Sequence, residues 1–394
     1  MVGFRRVWSG RMVDWGGLVL WVTSFLVILV ISSLAPDHRS VIPAYRHGAE
    51  AFAAGQSPYN LDLAVGYLYT PAFAVLFMPF AKLGPFAGDL LWRLLGFAVL
   101  TYAAMRQIAR IQPSNRIWML SYAVLLALPV SAGAMRNGQA TVLLTGACWL
   151  LVMSALDGKR AETLFWATLA LVAKPTAIVV LLLIGVLRPK LIPMLLLSVL
   201  LLLAIPYAFG PADYVTMLYE DFARLMTSMS LHRSVAFQPA DFTAPFTAIG
   251  MPLPEIVATG IRLVAALATL GLVVWYDRKL DRKTSGLAIF LAACFYMLCI
   301  FNPRVEYNTF VMLVLPAGVA VAVMWENGSR GWLHAVLAAL LFLAGLTGLF
   351  GQVHALIRLW FRPIVMIVVT VPLLWWFWMN FRTKPYAAAS ATAG

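Results

Sequence analysis

Apolar positions along this chain fall in long blocks rather than in the alternation of a half-buried strand, and the blocks set the expected elements. Residues 16–35 form a run of 20 without a charge, matching the roughly 20 residues that a helix needs to cross about 30 Å of hydrocarbon. Uncharged or nearly uncharged blocks follow at 117–134, 140–156, 191–209, 286–301, 308–325, 335–350 and 363–380. Two more carry a few charges: 86–108 holds Asp89, Arg93 and Arg106, and 255–276 holds Glu255 and Arg262. Two blocks are interrupted. Residues 67–83 contain Pro71 and Pro79, and residues 164–187 are split by Lys174-Pro175, where proline removes a backbone donor and bends a helix. The pattern predicts an all-α polytopic membrane protein of about 10–12 transmembrane helices, some broken or re-entrant.

Two long connections separate these blocks, 36–66 and 210–254. The first carries a short helical pattern, Tyr45, Gly48, Ala49 and Phe52, stopped by Gly55-Gln56-Ser57-Pro58-Tyr59, a turn-rich sequence. In the second, Tyr214, Met217, Leu218, Phe222, Leu225, Met226 and Met229 recur at helical spacing with Glu220, Asp221 and Arg224 between them. This predicts an amphipathic helix along the membrane surface. No repeat or soluble domain interrupts the pattern, so residues 1–380 read as one membrane domain and 381–394 as a disordered cytoplasmic tail.

Composition agrees. The 394 residues are 62% hydrophobic and 11% charged, against about 45–50% and about 25% in soluble domains. The net charge of +13 raises the question of nucleic acid, but charges this sparse cannot build a continuous basic groove, and no nucleic-acid partner is expected. Arg5, Arg6 and Arg11 precede the first block, which is too long for a signal peptide and lacks a small-residue cleavage site, so it reads as an uncleaved first span. Cys148, Cys294 and Cys299 lie in apolar runs and read as small core hydrophobes.

The excess of Lys and Arg in cytoplasmic connections decides between topologies. With a cytoplasmic N-terminus, residues 67–83 entering and leaving on the outer side, and the Lys174-Pro175 break reaching that side, the cytoplasmic connections hold 17 basic and 6 acidic residues, a net +11, leaving 12 basic and 10 acidic elsewhere. Making 67–83 a span and 164–187 one helix moves Arg106, Arg110, Arg116, Lys159 and Arg160 outside, against the bias. The expected location is a cell membrane, crossed many times.

In that topology three polar clusters meet at the outer rim: Arg136-Asn137-Gly138-Gln139, Lys174-Pro175-Thr176 and Asn302-Pro303-Arg304-Val305-Glu306-Tyr307-Asn308. Charges within or at the edge of a membrane are costly and mark function by default, although a single rim cation commonly just anchors its helix in the headgroups. Arg304 and Glu306 also suit a local ion pair, and Asp89 with Arg93, four apart, a structural one. His334 and His354 read as structural, while His38, His47 and His232 stay open. No HExxH, CxxC or EF-hand pattern occurs and no Asp-x-Asp stands in the first connection, so a dedicated metal site has weak support and no cofactor is expected, a divalent metal staying open.

The run Tyr45-x-x-Gly48-x-x-Ala51-Phe52-x-x-Gly55-x-x-x-Tyr59, then Tyr67-Leu68-Tyr69-x-Pro71-x-Phe73-Ala74-x-Leu76-x-x-Pro79-Phe80, then Asn137-Gly138-Gln139 and Ala173-Lys174-Pro175, resembles glycosyltransferase family 87 over residues 16–325. The stretch Asn302-Pro303-Arg304-x-Glu306-x-Asn308 resembles one branch of it. The resemblance implies a GT-C type bundle and an inverting hexosyltransferase that uses a polyprenyl-phosphate sugar, mannose being the family's most familiar donor sugar, with a lipid or glycan acceptor on the extracytoplasmic face. Family members often carry an Asp four or five residues before the tyrosine matching Tyr45; here Val41 and Ser40 stand there, and the nearest acid is Asp37. Such a transfer needs cations for the departing phosphate and a base for the acceptor proton. Lys174, Arg304 and Arg136 are the candidates for the phosphate; Asn137, Gln139 and Asn308 for sugar hydroxyls; Tyr69 for stacking on the ring. Glu306 and Asp37 are the candidate bases, Glu306 ahead because it sits in the densest polar cluster, with Asp62 behind them. The rival class is a transporter or flippase of lipid-linked sugars, which needs polar groups through the depth of the bilayer.

Overall fold

The computed structural model describes residues 11–35, 38–59, 66–231, 240–346, 357 and 360–381, and among them every regular element is helical. In chain order these are α1 (Arg11–Leu34), α2 (Ile42–Ala53), α3 (Pro71–Lys82), α4 (Gly84–Ile111), α5 (Arg116–Asn137), α6 (Ala140–Leu156), α7 (Arg160–Ala173) and α8 (Ile178–Leu187). There follow α9 (Ile192–Ala204), α10 (Ala212–Leu231), α11 (Ala244–Ala248), α12 (Glu255–Lys279), α13 (Ser285–Ala293), α14 (Val311–Glu326), α15 (Trp332–Leu346) and α16 (Phe361–Asn380). Seven helices among the described residues are long and apolar enough to cross a membrane, and five shorter apolar ones accompany them. The protein is an all-α polytopic membrane protein.

The burial pattern says which surfaces face lipid. α6 and α14 are buried almost all round, which fits the centre of a large bundle. α1 and α12 expose Val19, Leu26, Val30, Ile256, Leu263 and Leu267, an apolar surface too extensive for contact with water. α5 packs between α1 and α14, and α6 between α4 and α7.

Polar contacts fix the helix directions. At one end, Arg188 after α8 grips Asp277 of α12 through two bonds of 2.7 Å. Arg110 of α4 bonds Asp157 after α6 and the carbonyl of Arg282, Arg106 pairs with Glu162 of α7, and Ser114 N reaches Glu326 at the end of α14. These contacts gather one end of α4 to α8, α12 and α14 into a single basic end. Leu18 N on Ser121 Oγ near the starts of both helices, with Val41 N on the Asn137 carbonyl near their ends, sets α1 parallel to α5, so α1 also starts there. α7 leaves this end and α8 returns to it, so the Lys174-Pro175 break lies at the opposite end, as the charge distribution required. α3 likewise belongs to the opposite end: it folds back along the first turns of α4, with Phe73, Phe77 and Phe80 around Trp92.

Both helices expected in the long connections form. On α2, Tyr45, Gly48, Ala49 and Phe52 are all buried. α10 turns Val215, Leu218 and Leu225 inward, and Tyr214 hydrogen-bonds carbonyls of residues 51, 52 and 56. The apolar stripe of α10 is therefore spent at least partly on α2 and the turn after it.

Candidate functional site

The end opposite the basic one is organised around the turn between α5 and α6. Gly138 caps α5 with φ +70°, a left-handed conformation suited to glycine, and a Cβ there would lie 2.4 Å from the Ile42 side chain. Its carbonyl accepts from Trp92 Nε1 at 2.9 Å, and the Asn137 carbonyl accepts from Val41 N at 3.0 Å. α2 is thereby laid against the start of α6, where Ala140 N donates to the Tyr45 hydroxyl at 3.2 Å. The Tyr45 and Tyr69 hydroxyls lie 2.8 Å apart.

Gln139, buried in the same turn, donates from Nε2 to Glu306 Oε2 at 3.3 Å. Glu306 opens a single helical turn, Tyr307–Phe310, in a reciprocal capping box: its carboxylate accepts from Thr309 N, and Thr309 Oγ1 accepts from Glu306 N. This cap satisfies donors that a helix start leaves open. Glu306 is nevertheless exposed, so its carboxylate is held in place and reachable. Burial, opposed by the hydrogen bonds to Tyr69 and Ala140, pushes the Tyr45 phenol above its ordinary value, and the charge on Glu306 pushes the same way. Tyr45 is therefore a neutral hydroxyl within the field of the Glu306 carboxylate. Asn308 is also at hand, its Oδ1 3.5 Å from where a Cβ on Gly133 would stand. A π-helical stretch, Cys294–Ile300, leads into this segment, and bonds from Phe242 N to the Ile300 carbonyl and from Ala240 N to the Val305 carbonyl hold it.

Of the expected site residues, the structure unites Gln139 with Glu306 across 167 positions and sets Asn137 beside Gln139, with Asn137 Oδ1 buried and, among the described residues, without a hydrogen-bond partner. Tyr69 joins the cluster through its hydroxyl, but Phe73 stacks on its ring at 4.3 Å, so one face is already taken. Arg304 does not pair with Glu306; its guanidinium turns to the carbonyl and sulfur of Met226 on α10. Lys174 ends α7 in extended backbone, φ −163°. α6 and α7 pack on each other across a three-residue connection, which returns Lys174 to the level of the Gln139 end of α6. The Arg136 carbonyl accepts from Arg93 at 3.1 Å. Asp37 and Asp62, like His232 and His354, lie outside the described residues.

Two groups of buried cations escaped the sequence reading or were undervalued by it. Arg93 pairs with Asp89 as expected, but Asp89 also takes Arg46 Nη2 at 2.6 Å, and Arg93 donates to Ser40 Oγ at 3.2 Å. Arg362, just before the last apolar block, is buried, donates to the Ala344 and Tyr307 carbonyls at 3.0 and 2.7 Å, and lies over the Tyr307 ring. A single cation at the edge of an apolar block was its signal in the sequence.

The sequence model of glycosyltransferase family 87 matches residues 67–303. The matched region contains Tyr69, the Arg136 to Gln139 turn and Lys174, and it stops just before Arg304, Glu306 and Asn308. It is narrower than the resemblance over 16–325. No curated protein matches the chain.

Proposed function

The chain belongs to glycosyltransferase family 87, and we propose that this membrane glycosyltransferase moves a hexose, mannose before others, from a polyprenyl-phosphate donor to a lipid or glycan hydroxyl on the extracytoplasmic face of the cell membrane. The observation that carries the reading is the Gln139–Glu306 contact: an exposed carboxylate, fixed by a buried amide and a helix cap, at the end of the bundle away from its basic connections. In the proposed reaction Glu306 takes the proton of the acceptor hydroxyl as that oxygen bonds the anomeric carbon. The bond from that carbon to the phosphate oxygen breaks, and the lipid phosphate leaves with the electron pair. Lys174, Arg304 and Arg136 offset its charge. One base and a direct displacement give inversion. Gln139, Asn137 and Asn308 hold sugar hydroxyls, and Tyr69 meets the ring.

A carrier would need a polar path through the bundle. In central α6 the polar side chains are few, and Thr145 and Ser154 bond carbonyls of their own helix. This supports an enzyme rather than a carrier.

The test is transfer of labelled hexose from polyprenyl phosphate in vesicles. The amide in Glu306→Gln still accepts from Thr309 N, so the fold should survive while transfer falls roughly 10²–10⁴-fold, the range for a lost general base. Asp37→Asn, assayed beside it, would move the base to Asp37 if it alone loses activity. Full activity in both Lys174→Ala and Arg304→Ala would sink the phosphate site. A donor series of mannose, glucose, galactose and arabinose phospholipids identifies the sugar.

A further inference from the structure

The basic end carries an open, concave cavity of about 290 Å³ lined by Arg106, Arg110, Met153, Asp157, Arg282 and Lys283. It lies at the other end of the bundle from Glu306, and nothing in the proposed transfer uses it.

Charge accounting within this cavity leaves an excess of cation. Asp157 is bound by Arg110 and lies 3.6 Å from Arg106 Nη2. Glu162, just outside, is shared by Arg106 and Lys159. Asp281 is turned to the backbone of Lys283 and Thr284 and to the Thr284 hydroxyl. The Arg282 and Lys283 side chains are exposed, and among the described residues neither side chain makes a hydrogen bond or ion pair; only backbone groups are engaged, the carbonyls by Arg110 and Gln107 and Lys283 N by Asp281. Arg106 Nη2 is buried and, among the described residues, makes no hydrogen bond. The cavity thus combines two uncommitted cations with an unsatisfied guanidinium donor.

We propose that this cavity binds a phosphate group, presented by the headgroup of an acidic phospholipid or as free phosphate. Guanidinium and ammonium groups around a concave, partly dehydrated site are the donors that phosphate oxygens select, and basic pockets between transmembrane helices at the water boundary take phosphorylated headgroups. The volume sits at the lower limit of pockets for drug-sized ligands, so it suits one headgroup rather than a sugar nucleotide. The proposal is independent of the catalytic reading.

The experiment follows thermal unfolding of the purified full chain in neutral detergent while phosphatidylglycerol, phosphatidylcholine or inorganic phosphate is titrated at constant ionic strength. Phosphatidylglycerol is expected to raise Tm saturably and phosphatidylcholine to leave it unchanged. Arg282→Gln with Lys283→Gln should weaken the response about 30-fold, the effect of two interfacial charges. Lys190→Gln with Arg330→Gln, which removes the same charge outside the cavity, should stay within about twofold of the parent. A shift with phosphatidylglycerol alone assigns the site to a headgroup, and an equal shift with inorganic phosphate assigns it to the free ion. Equal weakening in the two double variants, or no saturable shift from either phosphate source, overturns the proposal.

Discussion

Replacing Asp89 by Asn removes the negative charge that the Arg46 and Arg93 guanidinium groups share, and the structure sets the size of the effect. Asp89 and Arg93 are 3% and 4% exposed, and the Arg46 side chain 15%. Arg46 can swing toward water, so its share is that of a surface pair, about 0–1 kcal/mol. Arg93 cannot follow. It keeps its bonds to Ser40 and the Arg136 carbonyl but loses its counter-charge in a buried setting, and breaking a buried pair from one side costs about 3–5 kcal/mol. Because those two bonds remain, the lower end is expected, about 3 kcal/mol for Asp89→Asn. Adding Arg93→Met to Asp89→Asn should recover much of the loss, since an apolar side chain leaves no charge unpaired. The assay is reversible unfolding in mixed micelles read by Trp fluorescence, run as a double-mutant cycle. A single variant within about 1 kcal/mol of the parent, or a double variant as unstable as the sum of the singles, refutes the reasoning.

Three further outcomes follow from other contacts. A Cβ at residue 88 would stand 1.9 Å from the Phe80 carbonyl oxygen, so Gly88→Ala should force α3 from α4 and cost at least about 1–3 kcal/mol; an unchanged melting temperature would contradict the tight hairpin. Tyr45→Phe leaves the Ala140 amide without its acceptor, a loss of about 1–3 kcal/mol, and hydrogen exchange at that amide should accelerate while the amides deeper in α6 keep their rates. At the basic end, Lys159 first and Arg106 next hold the Glu162 carboxyl down at about 2 against partial desolvation. A lowered folded-state pKa means that its stabilisation is complete above the ordinary value of 4.5 and is lost as pH falls toward about 2. With its side chain 39% exposed, solvent screening keeps the effect small; parent and Glu162→Gln should converge in stability over that window, and parallel pH profiles would show that the contact contributes nothing.

Local signals carried the parts of this fold that are local. The spacing of Tyr45, Gly48, Ala49 and Phe52 placed α2, and that of Val215-flanking residues Tyr214, Leu218, Phe222 and Leu225 placed α10, because each stripe must be buried on one face. The meeting of Gln139 with Glu306 is different in kind. Both polar segments were visible, but which of them touch depends on how α5 packs on α14, and no periodicity encodes that. Arg304 shows the same limit: two residues from Glu306, it suits an ion pair with it, yet its guanidinium turns to Met226 of α10. Tyr69 was more legible than the reading allowed. Phe73 follows four residues later, in the first turn of a helix that Tyr69 just precedes, where an apolar residue before the cap commonly packs back on that turn.

The charges that decided the topology also tie the helices together, which couples orientation to packing. Arg106, Arg110 and Arg188 bond Glu162, Asp157 and Asp277, so the basic connections that favour one side of a membrane also bind α4, α7, α8 and α12 at that side. With these ends anchored there, the lengths of α7 and α8 fix the depth of their turn. The 14 residues of α7 span about 21 Å at 1.5 Å per residue, and α8 with the three-residue 3₁₀ turn before it is of similar length, about 21 Å. Both fall short of about 30 Å of hydrocarbon. Lys174 at the tip is thus recessed below the full span that α1, with 24 residues, completes. A cation at such a depth costs up to about 2.5–3.5 kcal/mol unless water or an anion meets it. A proline break that holds a lysine there is hard to explain as an anchor in the headgroups, which a longer helix would supply without the cost. This is the physical ground for proposing that Lys174 meets an anion, as the proposed donor phosphate would supply, rather than merely fixing a helix end as a rim cation does.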